Sequence, residues 1–215
     1  MRMQRPILLP LAVALAAAGC GTPATLPSAA STGPDPTIPK PDTSLIPTVN
    51  IAPAQRWADG ATPTPAPGLA LTRFADGLDH PRWLLVLPNG DVLVAETNGP
   101  GKSGITGIKA KVMGIVMKKA GAGVPSAERI TLLRDADGDG VAELKQMFLT
   151  GLHSPFGMAL VGNTLYIANA ASLVSVPYTS GQTQATAEPT KLIDLPGNGE
   201  FNHHWTKSLL PSADG

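Results

Sequence analysis

Cysteine is almost missing from this chain: Cys20 is the only one in 215 residues. A lone thiol has no intramolecular disulfide partner, so no disulfide framework holds the fold. Aromatic residues are sparse at 4%, and neither sign of charge is in excess, with 16 Lys plus Arg against 16 Asp plus Glu. The balance leaves no chain-wide basic footprint for nucleic acid. No apolar run reaches the ~20 residues that a membrane-spanning helix needs. What the chain has in quantity is glycine and proline, 23 and 22, and 43% hydrophobic residues, enough to build a sizeable core.

The prolines crowd towards the N-terminus, and that asymmetry divides the chain. Arg2 and Arg5 precede an apolar stretch from Ile7 to Ala18 that is broken by Pro10. Such a stretch reads as an export signal over residues 1–19. It ends Ala17-Ala18-Gly19-Cys20, small residues before the cysteine, which resembles the cleavage box of bacterial lipoproteins, although that box more often has Leu at the place of Ala17. The resemblance implies that Cys20 becomes the lipid-bearing N-terminus, with acyl chains that anchor the protein without spanning the bilayer; a plain secretory peptide that leaves Cys20 a free thiol is the alternative. The expected location is the cell envelope on its periplasmic side. Gly21, where an Asp would favour retention, points to the outer membrane if the cell is Gram-negative. Residues 20–68 are rich in Pro, Thr, Ser and Ala, as in Thr62-Pro63-Thr64-Pro65, and are expected to form a disordered tether. Ile46, Val49 and Ile51 are candidates for a short strand docking on the domain.

The folded part, residues 69–215, is built on a repeat. Gly77-Leu78-Asp79-His80-Pro81 leads into the apolar run Trp83 to Leu87, a turn containing Asn89-Gly90, and a second run, Val92 to Thr97. Gly151-Leu152-His153-Ser154-Pro155 leads into Met158 to Val161, the turn Gly162-Asn163, and Thr164 to Asn169. Pro81 and Pro155 set the offset at 74 residues, and His204 to Leu210 opens a third, incomplete copy. Ile130–Leu133, Ser172–Val176 and Thr190–Leu195 are further strand candidates. Repeated hairpins cannot cover both sheet faces alone and so stack; radial stacking gives a propeller, while the competing β-sandwich has no need of a repeat. The fold class expected is all-β, a partial β-propeller with one short inserted helix. That helix is read from Ile105, Ile108, Val112, Ile115 and Val116, at helical spacing between Lys102 and Lys119. A helix packed on the domain is the expectation, and a membrane-surface helix the alternative.

Two stretches carry the chemistry. In Asp135-Ala136-Asp137-Gly138-Asp139-Gly140 carboxylates alternate before a glycine, and oxygen ligands at that spacing suit a hard cation such as Ca2+. The twelfth position is Gln146 where an EF-hand loop has Glu, so Glu143 is the candidate fourth ligand; a metal-free Asp/Gly turn is the other reading. The second stretch, Glu200-Phe201-Asn202-His203-His204-Trp205, places two of the chain's four histidines before a strand-like run. Loop histidines satisfied by their own backbone are the plain alternative to a site.

In combination, Gly77 to Thr97, Leu132 to Gly140, Ser154 to Leu160 and Asn202 to Lys207 resemble the L-sorbosone dehydrogenase group of the soluble glucose and aldose sugar dehydrogenase family. The resemblance covers residues 69–215. It implies a six-bladed β-propeller, of which this chain carries about half, and a cofactor, pyrroloquinoline quinone (PQQ). It also implies an exported oxidoreductase acting on an aldose or a sugar-derived aldehyde such as sorbosone. Its general base is a His followed five residues later by Leu, which His204 and Leu209 match. Asn202 and His203 fall at substrate-holding positions; glucose-oxidising members have Asp at the place of His203, which leaves the substrate open. The resemblance assigns no residue here to the cofactor, whose ligands come from later blades, and names no electron acceptor. The alternatives are a non-catalytic propeller that binds a partner, and an inactive fragment of a dehydrogenase.

Overall fold

The computed structural model describes residues 26–38, 40, 51–55, 57–100, 106–122, 124–197 and 204–212. Cys20, Ile46, Val49, Asn202 and His203 lie outside them, as does the turn expected after Ser212. The chain forms two compact units, residues 1–52 and 53–215. In the first, the described residues hold one 3-10 turn, Ser28–Ala30, with no buried residue.

The second unit holds two four-stranded antiparallel sheets. The first is formed by β1 (Pro81–Val86), β2 (Val92–Glu96), β3 (Arg129–Arg134) and β4 (Leu144–Leu149), in chain order. The second is formed by β5 (Met158–Val161), β6 (Thr164–Ala168), β7 (Ser172–Pro177) and β8 (Thr190–Asp194), also in chain order. One helix, α1 (Gly107–Lys119), lies between β2 and β3. The all-β expectation therefore holds, with each sheet a simple meander.

Alternation along the strands decides which residues are inside. Leu85, Leu93, Leu132, Ala95 and Ile130 lie on one face of the first sheet in register. Met158, Ile167, Leu165, Val174 and Val176 do so on the second. These two faces share one apolar core with Phe148, Leu152 and Tyr178. The opposite face of the first sheet is different: Val94 is fully buried, but Leu84 and Val86 at the β1 edge are 61% and 66% exposed.

The repeat seen in the sequence is also a repeat of backbone geometry. Gly77 and Gly151 take φ of 62° and 73°, and His80 and Ser154 take φ of 49° and 46°, each directly before the proline that opens its copy. A left-handed conformation on a non-glycine residue costs roughly 1–3 kcal/mol, so its recurrence 74 residues apart marks a shared turn. The hairpins differ in their loops. Residues 87–91 connect β1 to β2, with Gly90 at φ 89°, whereas Gly162-Asn163 alone connects β5 to β6.

Three expectations require correction. β4 is a strand that the sequence pattern does not predict, since Lys145 and Gln146 interrupt its apolar alternation. The stretch Ser208-Leu209-Leu210 is not a strand; the backbone hydrogen bond that ties it runs from Gly157 N–H to Lys207 O, 2.9 Å. And α1 does not pack its apolar side on the domain: Ile108, Val112 and Ile115 are 81%, 55% and 71% exposed. It starts at Thr106 as N-cap, without a side-chain cap.

Candidate functional site

The two copies of the repeat and the segment read as opening a third come together at their beginnings. Arg82 and Trp83 open β1, Phe156 and Gly157 precede β5, and His204 and Trp205 open the third copy. The rings of Trp83 and Phe156 lie with centroids 5.0 Å apart. Phe156 in turn meets Trp205 edge-on at 6.1 Å and 89°. The Arg82 guanidinium sits 5.5 Å from the Trp205 ring centre, a cation–π contact. Of the chain's few aromatic side chains, three thus gather at one place, and His204 is adjacent to one of them.

Glycines make this convergence possible. A Cβ on Gly157 would lie 2.5 Å from Lys207 O and 2.6 Å from Leu209 N, so only glycine lets the third copy pass against the second. A Cβ on Gly99 would lie 2.9 Å from the indole nitrogen of Trp205. Lys207 Nζ donates to His204 O at 3.0 Å, closing the turn that carries the histidine. His204 itself is exposed, and its ring has no hydrogen-bond partner among the described residues. Leu209, five residues on, is half-buried.

The acidic loop does bring its residues together. One oxygen of each of Asp135, Asp137, Asp139 and Glu143 lies within 4.8 Å of the others. The loop shapes itself through its own backbone: Gly140 N–H donates to Asp135 Oδ2 at 2.9 Å, Gly138 N–H to Asp135 Oδ1 at 2.6 Å, and Ala136 N–H to Glu143 Oε2 at 2.7 Å. The Gly140 N–H, with those of its loop neighbours, holds the Asp135 carboxyl below its ordinary range. These residues fit a hard oxygen-loving cation in donor type and in mutual distance. The loop lies between β3 and β4.

Sequence reasoning missed two ion pairs that bracket β2 and β3. At one end Arg129 donates through Nε to Glu96 Oε1 at 3.0 Å and through Nη2 to Glu96 Oε2 at 2.8 Å. Glu96, 1% exposed, also accepts from Thr131 Oγ1 and from the Asp79 N–H. Burial pushes the Glu96 carboxyl up, but the hydrogen bonds from Arg129, Thr131 and Asp79 outweigh it and leave it low. At the other end Arg134 grips Asp91 with two bonds of 2.7 Å and holds that carboxyl below its usual value. The signal was available: Glu96 closes the run Val-Leu-Val-Ala-Glu in phase with Val94, and arginines stand at both ends of β3. Beside the Glu96 pair, Asp79, His80, Ser126 and Arg129 line a cleft of about 590 Å³.

No protein-family model, no curated protein and no solved structure matches the chain.

Proposed function

We propose that this chain is an exported, PQQ-dependent oxidoreductase acting on an aldose or a sugar-derived aldehyde, with His204 as the general base. The observation that carries the reading is the meeting of Arg82, Trp83, Phe156 and Trp205, with His204 next to Trp205 in the chain. In a β-propeller the first strand of each blade lines the central axis, where sites collect at one mouth. Two further features support the propeller: the sheets are successive four-stranded meanders, and their first strands, β1 and β5, contact each other. The exposed Leu84 and Val86 are the apolar face that a neighbouring blade would cover.

A histidine side chain is a base of the kind that removes a proton from a sugar hydroxyl, and His204 stands next to Trp205 in the chain. The flat rings of Trp205 and Phe156 suit the apolar face of a sugar ring. When bound, the quinone would supply the hydride acceptor. No described residue is assigned to its carboxylates; Arg82, the cation at the convergence, stacks on Trp205. Asn202 and His203 belong to the proposal as substrate-holding residues. Asp135, Asp137, Asp139 and Glu143 would hold Ca2+ as a structural ion. Cys20 would carry the lipid that anchors the protein in the cell envelope.

The experiment is to add PQQ and Ca2+ to the purified protein and follow dye reduction across a panel of aldoses and aldehydes. Reduction that depends on both the quinone and one sugar class supports the reading. Saturable sugar binding without reduction favours a carbohydrate-binding propeller instead.

A further inference from the structure

We propose that α1 docks the domain on an anionic lipid surface, by contacts separate from any acyl chain on Cys20. Between Asn98 and Ala127 the chain has five lysines and no acidic residue, although the whole sequence is balanced. Within that segment α1 exposes Ile108, Val112, Met113, Ile115 and Met117. Ile108, Val112 and Ile115, spaced by four and three, fall within roughly 60° of one another around the axis. Exposed Lys119 lies on the same side, and exposed Lys111 and Lys118 border it.

A helix that exposes branched apolar side chains normally packs them against its own domain. This one does not pack extensively on any strand, and it is secured at its C-terminal end instead. There Ala54 N–H donates to Lys119 O at 3.0 Å, and Asn98 Nδ2 donates to Ala122 O at 3.2 Å and Val124 O at 2.6 Å. The body of the helix therefore stands clear of the sheets. An occupant that is apolar in depth and negative at its surface matches what α1 presents. An anionic bilayer has that profile: the isoleucines enter the acyl boundary, and lysine stems run along it with their ammonium groups among the phosphates. Each lysine near such a surface adds attraction that salt screens. An acidic protein groove would take the same charges, and the experiment separates the two.

The full chain is prepared with Cys20→Ser, so that no lipid is attached, and mixed with vesicles of phosphatidylcholine alone or with phosphatidylglycerol. The expected result is at least about tenfold stronger co-sedimentation with the anionic vesicles, falling as salt rises. Ile108→Ser with Ile115→Ser, and separately Lys111→Glu with Lys118→Glu, should abolish that preference without shifting the thermal unfolding of the sheets. As a second readout, Ile108→Cys labelled with a polarity-sensitive dye should shift to the blue on anionic vesicles only. Equal binding to both vesicle types, binding unchanged in either double variant, or a dye that reports no change would overturn the proposal. So would loss of self-association in the isoleucine variant, which would assign the face to a second copy of the chain.

Discussion

The guanidinium of Arg82, from the first strand, lies 5.5 Å from the ring of Trp205, 123 positions later in a stretch with no strand of its own. That contact joins the opening of the first repeat to the opening of the third. A half-exposed cation–π pair contributes about 0.5–1 kcal/mol. A double-mutant cycle with Arg82→Ala and Trp205→Ala, read by urea unfolding, should give a coupling of that size. A coupling near zero would mean that the third copy is held by other contacts.

Gly157 gives a sharper test of the same convergence. Gly157→Ala puts a methyl group into the backbone of Lys207 and Leu209, which cannot give way as a flexible side chain would. The expected cost is about 1–3 kcal/mol or release of residues 204–212 from the second sheet. Limited proteolysis near Lys207 reads the release, and Gly114→Ala, at a glycine with open space around it and no left-handed backbone, serves as the control.

The Glu96–Arg129 pair should be costly to break from one side. Arg129→Ala leaves a buried carboxylate without its main partner, and about 3–5 kcal/mol of stability should be lost. Chemical denaturation measures it; a loss below about 1 kcal/mol would show the pair to be screened as a surface bridge is.

The same carboxylates set the response to acid. Glu96 and Asp91 are held below their ordinary values of 4.5 and 3.8 in the folded chain, so the unfolded chain binds more protons in acid. Their stabilisation is complete above about pH 5 and is lost as pH falls through the folded-state values. Urea midpoints measured from neutral pH down to about pH 3 should fall, and Glu96→Gln, less stable at the start, should fall less steeply.

Calcium should raise the thermal midpoint of the protein, and a chelator should lower it, if the acidic loop holds the ion. Asp137→Asn with Asp139→Asn should remove that response. A midpoint indifferent to calcium would leave the loop as a turn shaped by its own backbone N–H groups.

Much of the fold was legible because its signals are local. The apolar runs around Asn89-Gly90 and Gly162-Asn163 became β1 and β2, and β5 and β6, and the 74-residue offset reappeared in the paired left-handed residues His80 and Ser154. What escaped depends on contacts between distant segments. β4 alternates only weakly, with Lys145 and Gln146 at its start, and pairing with β3 makes it a strand. Ser208-Leu209-Leu210 has a strand's composition without the ladder. The periodicity of α1 showed a helix but not whether anything covers it. The motif marks His204 and Trp205 as candidates, whereas the contacts of Trp205 with Arg82 and Phe156 required the fold. Asp135, Asp137, Asp139 and Glu143 were legible together because one short loop contains all four.

The most direct test of the central claim compares dye reduction by the quinone-loaded and calcium-loaded protein with that of His204→Ala and of His203→Ala, over a range of pH. Loss of at least about a hundredfold in kcat for His204→Ala is the predicted result. His203→Ala should raise KM with a smaller effect on kcat. Full turnover by His204→Ala with an unchanged pH profile would contradict the account.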